Sequence, residues 1–152
     1  MSQGTINLNA GQVTNQHISG ALADAIASAK LQHCYKAGSS FNLAVGSTPV
    51  TYEEIVYVAT GPGTLLGFHA LLAVTGSASS MTFDLKKNGV SVLTGVITIT
   101  NANSNRQVLD ASLATVSFAD EDVFTMALIV STSTGAQGPF AWADFQENTL
   151  PA

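Results

Sequence analysis

Charge is what this sequence has least of. Five Lys plus Arg and ten Asp plus Glu make up 10% of 152 residues and leave a net charge of −5. An average soluble domain devotes roughly 25% of its residues to charge. Five cations scattered over an acidic chain give no footprint for gripping phosphates, so nucleic acid is not an expected partner. Long apolar runs are also missing. The longest stretch, Leu65-Leu-Gly-Phe-His-Ala-Leu-Leu-Ala-Val74, is half of the roughly 20 residues a membrane helix needs, and no membrane partner is expected. There is one cysteine, Cys34, which excludes an intrachain disulfide and with it a stapled secreted mini-domain. The first residues, Met1-Ser-Gln-Gly-Thr-Ile6, have no basic region leading into an apolar run. They do not read as a secretory signal, and a soluble protein made in a cytoplasm is the expectation.

What is present is a large apolar fraction, 46%, which excludes a disordered tail. The length suffices for one domain with a real core. With so little charge, the exterior must be built from Ser, Thr, Asn, Gln and Gly. Such a surface lacks the charges that keep proteins apart, and charged residues are depleted at the cores of protein–protein interfaces. Two readings follow: a Ser/Thr-rich β-protein with a neutral exterior, or a surface covered by copies of itself or by a larger assembly.

The chain divides into an arm (1–17), a helical segment (18–37) and a β-domain (38–152). In the arm, Ile6, Leu8 and Ala10 alternate with Thr5, Asn7 and Asn9, a strand-like pattern with little to bury alone. From Ile18 the period changes: Ile18, Leu22 and Ile26 recur every four residues beside Ala21, Ala25 and Ala27. Thr14, Asn15 or Ser19 can cap the start and Gly38 ends the region, which predicts a helix of about twelve to fifteen residues. Its narrow, alanine-rich stripe suits close packing against a domain surface or a neighbouring copy.

Beyond Gly38 the pattern is strands punctuated by turns, expected near 41–45, 51–59, 64–74, 81–87, 90–93, 96–101, 107–113, 123–131 and 140–146. Met81, Phe83 and Leu85 alternate with Thr82, Asp84 and Lys86 up to Asn88-Gly89, the favoured pair for a two-residue type I′ hairpin. Gly61-Pro62-Gly63, Asp120-Glu121-Asp122 and Ser133-Thr134-Gly135 read as turns. Residues 64–74 are apolar on both faces, which predicts a central strand covered on one side by an opposing sheet and on the other by the helix or a subunit contact. The expected fold class is mainly β: an antiparallel β-sandwich, jelly-roll-like, with an N-terminal arm and a short α-helix. Strand order does not follow from periodicity.

No cluster of chemistry-bearing residues stands out. His33 and Cys34 adjoin, but neighbours on a helix end point about 100° apart and form no dyad. His17, His33, Cys34 and His69 match no zinc-ligand spacing. Asp120-Glu121-Asp122 lacks the spaced ligands and central glycine of a calcium loop and reads as a solvated turn. Glu53 and Glu54 point to opposite faces of a strand, and Gly61-Pro62-Gly63 lacks the Gly-Lys-Ser/Thr of a phosphate loop. His69 is expected as a hydrogen-bonded core or interface imidazole. Trp142, Tyr52, Tyr57 and Phe140 are candidates for stacking on sugars, with core or subunit packing the reading preferred for the alternating run Phe140-Ala-Trp-Ala-Asp144. No catalytic residue, metal or cofactor is assigned, and an enzyme is not expected.

The run Met81-Thr-Phe-Asp-Leu-Lys-Lys-Asn-Gly-Val-Ser-Val-Leu93, then Val96-Ile-Thr-Ile99, then Phe118-Ala-Asp-Glu-Asp-Val-Phe124, resembles small structural proteins of tailed bacteriophages. In these a Phe-x-Leu-Lys-Lys-Asn-Gly hairpin and a downstream acidic turn belong to a jelly-roll-like sandwich. The segment Ile18–Leu31 is similar to the Ala-rich leaders of trimeric phage decoration and fibre proteins. The resemblance spans about residues 18–146. It implies a capsid decoration (cement) protein that binds the outer face of the shell as a homotrimer, with the major capsid protein as partner and the virion surface as location. Ile6, Leu8, Ile18, Leu22 and Ile26 are the candidate oligomer and capsid contacts. The alternative is a receptor- or carbohydrate-binding module of a phage fibre or spike, which predicts a shallow aromatic-lined pocket.

Overall fold

Alternation of apolar and polar residues governs the chain from His33 onward, and in the computed structural model, which describes residues 33–41 and 50–147, it produces ten strands. They are β1 (His33–Ser40), β2 (Val50–Val58), β3 (Gly63–Val74), β4 (Ala78–Lys87), β5 (Val90–Ser91), β6 (Ile97–Thr100), β7 (Leu109–Asp110), β8 (Ser117–Phe118), β9 (Val123–Thr134) and β10 (Gln137–Glu147). One sheet runs β1-β10-β3 with β7 and β8 on the far side of β3, and the other runs β2-β9-β4 with β5 and β6 beside β4. Every pairing is antiparallel. The pairs nest, first strand with last, second with second-to-last, third with β8, fourth with β6, and successive pairs fall in alternate sheets. That wrapping of one long hairpin around a core is a jelly roll, as the sequence predicts.

The core lies between the sheets and is made by the inward half of each alternation. Phe68, Leu65 and Leu72 of β3, Met81, Phe83 and Leu85 of β4, Phe124, Met126 and Leu128 of β9 and Phe145 of β10 are fully buried. Each contributes about 1.5–3 kcal/mol through removal from water. At one end Tyr57, Phe118, Phe124 and Phe145 form an aromatic cluster, with Phe124 and Phe145 edge-to-face at 4.9 Å. The Asn88-Gly89 hairpin has the positive φ values (50° and 82°) of a type I′ turn.

Two boundaries differ from the sequence reading. The helical segment does not extend to residue 37: His33–Ala37 lie in β1, paired residue for residue with Ala143–Glu147 of β10. Period-two order takes over there, with Lys36 and Gly38 facing outward while Ala37 and Ser39 face inward. Spacing alone does not fix where the helical segment stops, and pairing with β10 decides it for His33–Ala37. The β-domain therefore reaches back at least to His33. Phe41, where a further strand is expected to begin, follows the end of β1 at Ser40, and residues 42–45 of that expected strand lie outside the described residues. The arm and residues 18–32 lie outside them as well. Central strand β3 is covered by the opposing sheet on one side, while on the other Leu66 is half exposed.

Candidate functional site

The outward side of the β1–β10–β3 sheet carries the most concentrated group of aromatic and titratable side chains. It arises from an inversion in β10. Ala141, Ala143 and Phe145 point into the core, so Phe140, Trp142 and Asp144 point out. The sequence reading preferred core or subunit packing for the run from Phe140 to Asp144, and the outward placement of Phe140 and Trp142 rules out the first of these. Instead the interior takes the alanines, because the same buried cluster already holds Phe41, Phe68 and Phe83.

On this outward side Trp142 stacks on His69 of the neighbouring strand, ring centres 5.0 Å apart and planes 26° apart, and on Phe140 at 5.6 Å and 29°. Register makes the first contact, since Trp142 lies opposite His69. Two glycines make room for the rings. A Cβ at Gly38 would sit 3.0 Å from the tip of Phe140, and one at Gly67 would sit 2.7 Å from Nε2 of His69. A bulge between Asp144 and Phe145 leaves Leu66 as the extra residue on β3 and turns it outward.

A polar chain runs beside the rings. His69 Nδ1 lies 2.6 Å from Asp110 Oδ1 of β7, and its Nε2 lies 3.2 Å from Asp144 Oδ2. Lys36 Nζ is 2.7 Å from Asp144 Oδ1, at ion-pair distance though outside hydrogen-bond geometry. A chain of polar groups thus crosses the sheet as Asp110, His69, Asp144, Lys36. Next to it lie two shallow depressions that share Lys36. The larger, about 520 Å³, is lined by Lys36, Ala37, Gly38, Leu71, Phe140 and Trp142, and the second, about 430 Å³, by Cys34, Tyr35, Lys36, Leu66, Asp144 and Phe145.

The opposite sheet presents a different outward face. Thr51, Ile129, Thr82 and Thr98 sit side by side on four strands in one cross-strand row. Ile129 is 45% exposed and Ile55, two rows away, 68%. Glu53 is the charged residue of this face on β2, bound by Lys86 at 2.8 Å and Thr125 at 3.0 Å. Those two bonds hold its carboxyl below the usual carboxylate range.

The remaining candidates are structural. Asp122 of the acidic turn accepts from the Ala119 amide at 2.8 Å and from Asn88 Nδ2 at 2.6 Å, with Lys87 at 3.4 Å. Asn88 Oδ1 in turn accepts from the Val123 amide at 2.9 Å. The two turns expected separately from the sequence clasp each other, and the backbone bond from Ala119, then the Asn88 and Lys87 contacts, pull the Asp122 carboxyl down. Glu147 is buried, accepting from the Tyr57 hydroxyl and from the Thr60 amide at 3.0 Å. Burial first, then this carboxylate, pushes the Tyr57 phenol above the ordinary range. Glu53 and Glu54 do diverge: Glu54 turns to Ser39, whose hydroxyl donates at 2.5 Å. Cys34 is exposed in β1, two positions along from Lys36. Among the described residues, no group of three or more His, Cys, Asp or Glu is placed to hold a metal ion. Ile6, Leu8, His17, Ile18, Leu22 and Ile26 lie outside the described residues. Sequence reasoning named His69, Trp142 and Phe140 singly but missed the Asp110–His69–Asp144–Lys36 chain, whose members are joined only by strand register.

No family model matches the chain, and no curated protein does. Among solved structures, dimeric latent PorU from Porphyromonas gingivalis aligns with 15% identity and a TM-score of 0.34 over 76% of this chain and 13% of its own. The carbohydrate-binding module CBM36, in complex with calcium and xylotriose, aligns with 18% identity and a TM-score of 0.30 over 76% of this chain and 98% of its own. Likeness at this level assigns neither family nor activity. The β-sandwich stands on its own strand pairing, and no phage family model supports the resemblance read from the sequence.

Proposed function

We propose that this chain is a non-enzymatic structural protein of a virion, a homotrimeric decoration protein that binds the outer face of a capsid shell and stabilises it. The observation that carries the reading is the outward side of the β2–β9–β4–β6 sheet, where Ile129 lies half exposed in a row with Thr51, Thr82 and Thr98, and Ile55 stands exposed on the far side of Glu53, which Lys86 binds. Aliphatic side chains standing outward on a sheet are of the kind that interface cores bury. The jelly roll, a fold used by viral capsid and lectin domains, agrees by analogy only. The partner, a major capsid protein, comes from the resemblance of residues 81–124 to phage decoration proteins. Ile6, Leu8, Ile18, Leu22 and Ile26 add contacts in this reading. A trimer on a cyclic axis joins one patch to a different patch on the next copy, so this sheet face serves the neighbouring copy or the shell.

The test is the native mass of the purified protein. Wild type is expected as a trimer, and Ile55→Lys with Ile129→Lys as a folded species of lower mass, because a buried unpaired ammonium costs several kcal/mol. A wild-type monomer at micromolar concentration overturns the oligomer.

A further inference from the structure

We propose that the outward face of the β1–β10–β3 sheet is a binding site for a neutral oligosaccharide, with the Phe140–Trp142–His69 strip as its stacking surface and Lys36 and Asp110 as hydroxyl partners. The site lies on the sheet opposite the proposed docking face, so it adds a second activity and does not rest on the first.

Three features select this ligand. The stacked rings stand on β10 and β3, inside the sheet and not on loops, so the surface is formed before any ligand arrives and costs little ordering. A ring with an apolar C–H face covers such a strip, and the neighbouring 520 Å³ depression is within the size of small-ligand sites. The second feature is charge. Lys36 is matched by Asp144, and His69 lies between Asp110 and Asp144. With Lys36 paired to Asp144, the face presents no cluster of one sign to draw an anion or a cation. Its polar groups do supply both donors and acceptors along the edge of the rings, which suits hydroxyl groups that donate and accept alike. The third is extent. The two depressions meet at Lys36, which gives a linear ligand room for more than one sugar unit. A second copy of the chain fits worse: apposing two such faces brings together the Asp110 carboxylates of both copies, each 73% exposed.

Trp142 is the single tryptophan of the chain, so intrinsic fluorescence reports on this site alone. The full chain is titrated with a panel of neutral tetrasaccharides built on glucose, galactose, mannose and N-acetylglucosamine. At least one is expected to shift Trp142 emission saturably with a Kd of about 1 mM or tighter. Phe140→Ala is expected to weaken that binding about tenfold. Lys36→Gln, on an exposed edge-strand side chain, is expected to weaken it by about threefold with an unchanged melt. No response from any member up to about 10 mM overturns the proposal. So does binding that Phe140→Ala and Lys36→Gln both leave unchanged in folded protein. Shielding of Trp142 from acrylamide in step with rising native mass overturns it too, and assigns the face to a second copy.

Discussion

Asp122 shows how much one side chain carries where charge is scarce. It joins two turns 34 residues apart, through Asn88 and the Ala119 amide, and fixes where β9 begins. Its carboxyl is held below the ordinary range in the folded chain. A depressed folded value means the stabilisation is present above the unfolded pKa, about 3.9, and is lost as pH falls through the folded one. Asp122→Asn is therefore expected to melt below wild type at pH 7, and the gap is expected to narrow as the pH approaches 2. Thermal melts of the two proteins across that range check it. An equal gap at both ends of the range shows that the ionised carboxylate is not the source. Glu147 has a comparable office at the far end of β10, tying the end of the described chain to Tyr57 and Thr60.

At the level of elements, what the sequence discloses depends on how locally each feature is determined. The β4–β5 hairpin is legible because Asn88-Gly89 encodes its own turn and the flanking alternation fixes which side is core. Strands β2, β3, β4, β9 and β10 are legible for the same reason. The direction of β10 is not, because the run from Phe140 to Asp144 obeys period two whichever face is buried, and only the volume already filled by phenylalanines sends the alanines inward. The first strand is hidden because His33–Ala37 follow directly on a sequence with helical spacing, and only pairing with β10 marks the change. The site is harder still: His69 and Asp110 are 41 residues apart and meet through β3–β7 register. For the stripe Ile18, Leu22 and Ile26, the account predicts an intersubunit or shell contact. Leu22→Asp with Ile26→Asp is expected to lower the sedimentation coefficient or abolish shell binding while the β-sandwich keeps its cooperative melt. Sedimentation and attachment equal to wild type show that the stripe serves the domain alone.

The whole molecule combines three things: a jelly roll closed by nested strand pairs, one outward face that carries exposed isoleucines among threonines and a Glu53–Lys86 pair, and another that is aromatic and polar. Neither face needs to move for the protein to act, and both are carried on strands fixed by the buried phenylalanines. The first face is assigned to assembly and the second to a ligand, so one can fail without the other. The assembly claim is central. It is tested most directly by mixing the purified chain with expanded capsid shells lacking it and pelleting the shells. The account predicts saturable co-sedimentation at a fixed ratio of trimers to shell that Ile55→Lys with Ile129→Lys removes, and a wild-type chain left wholly in the supernatant contradicts it.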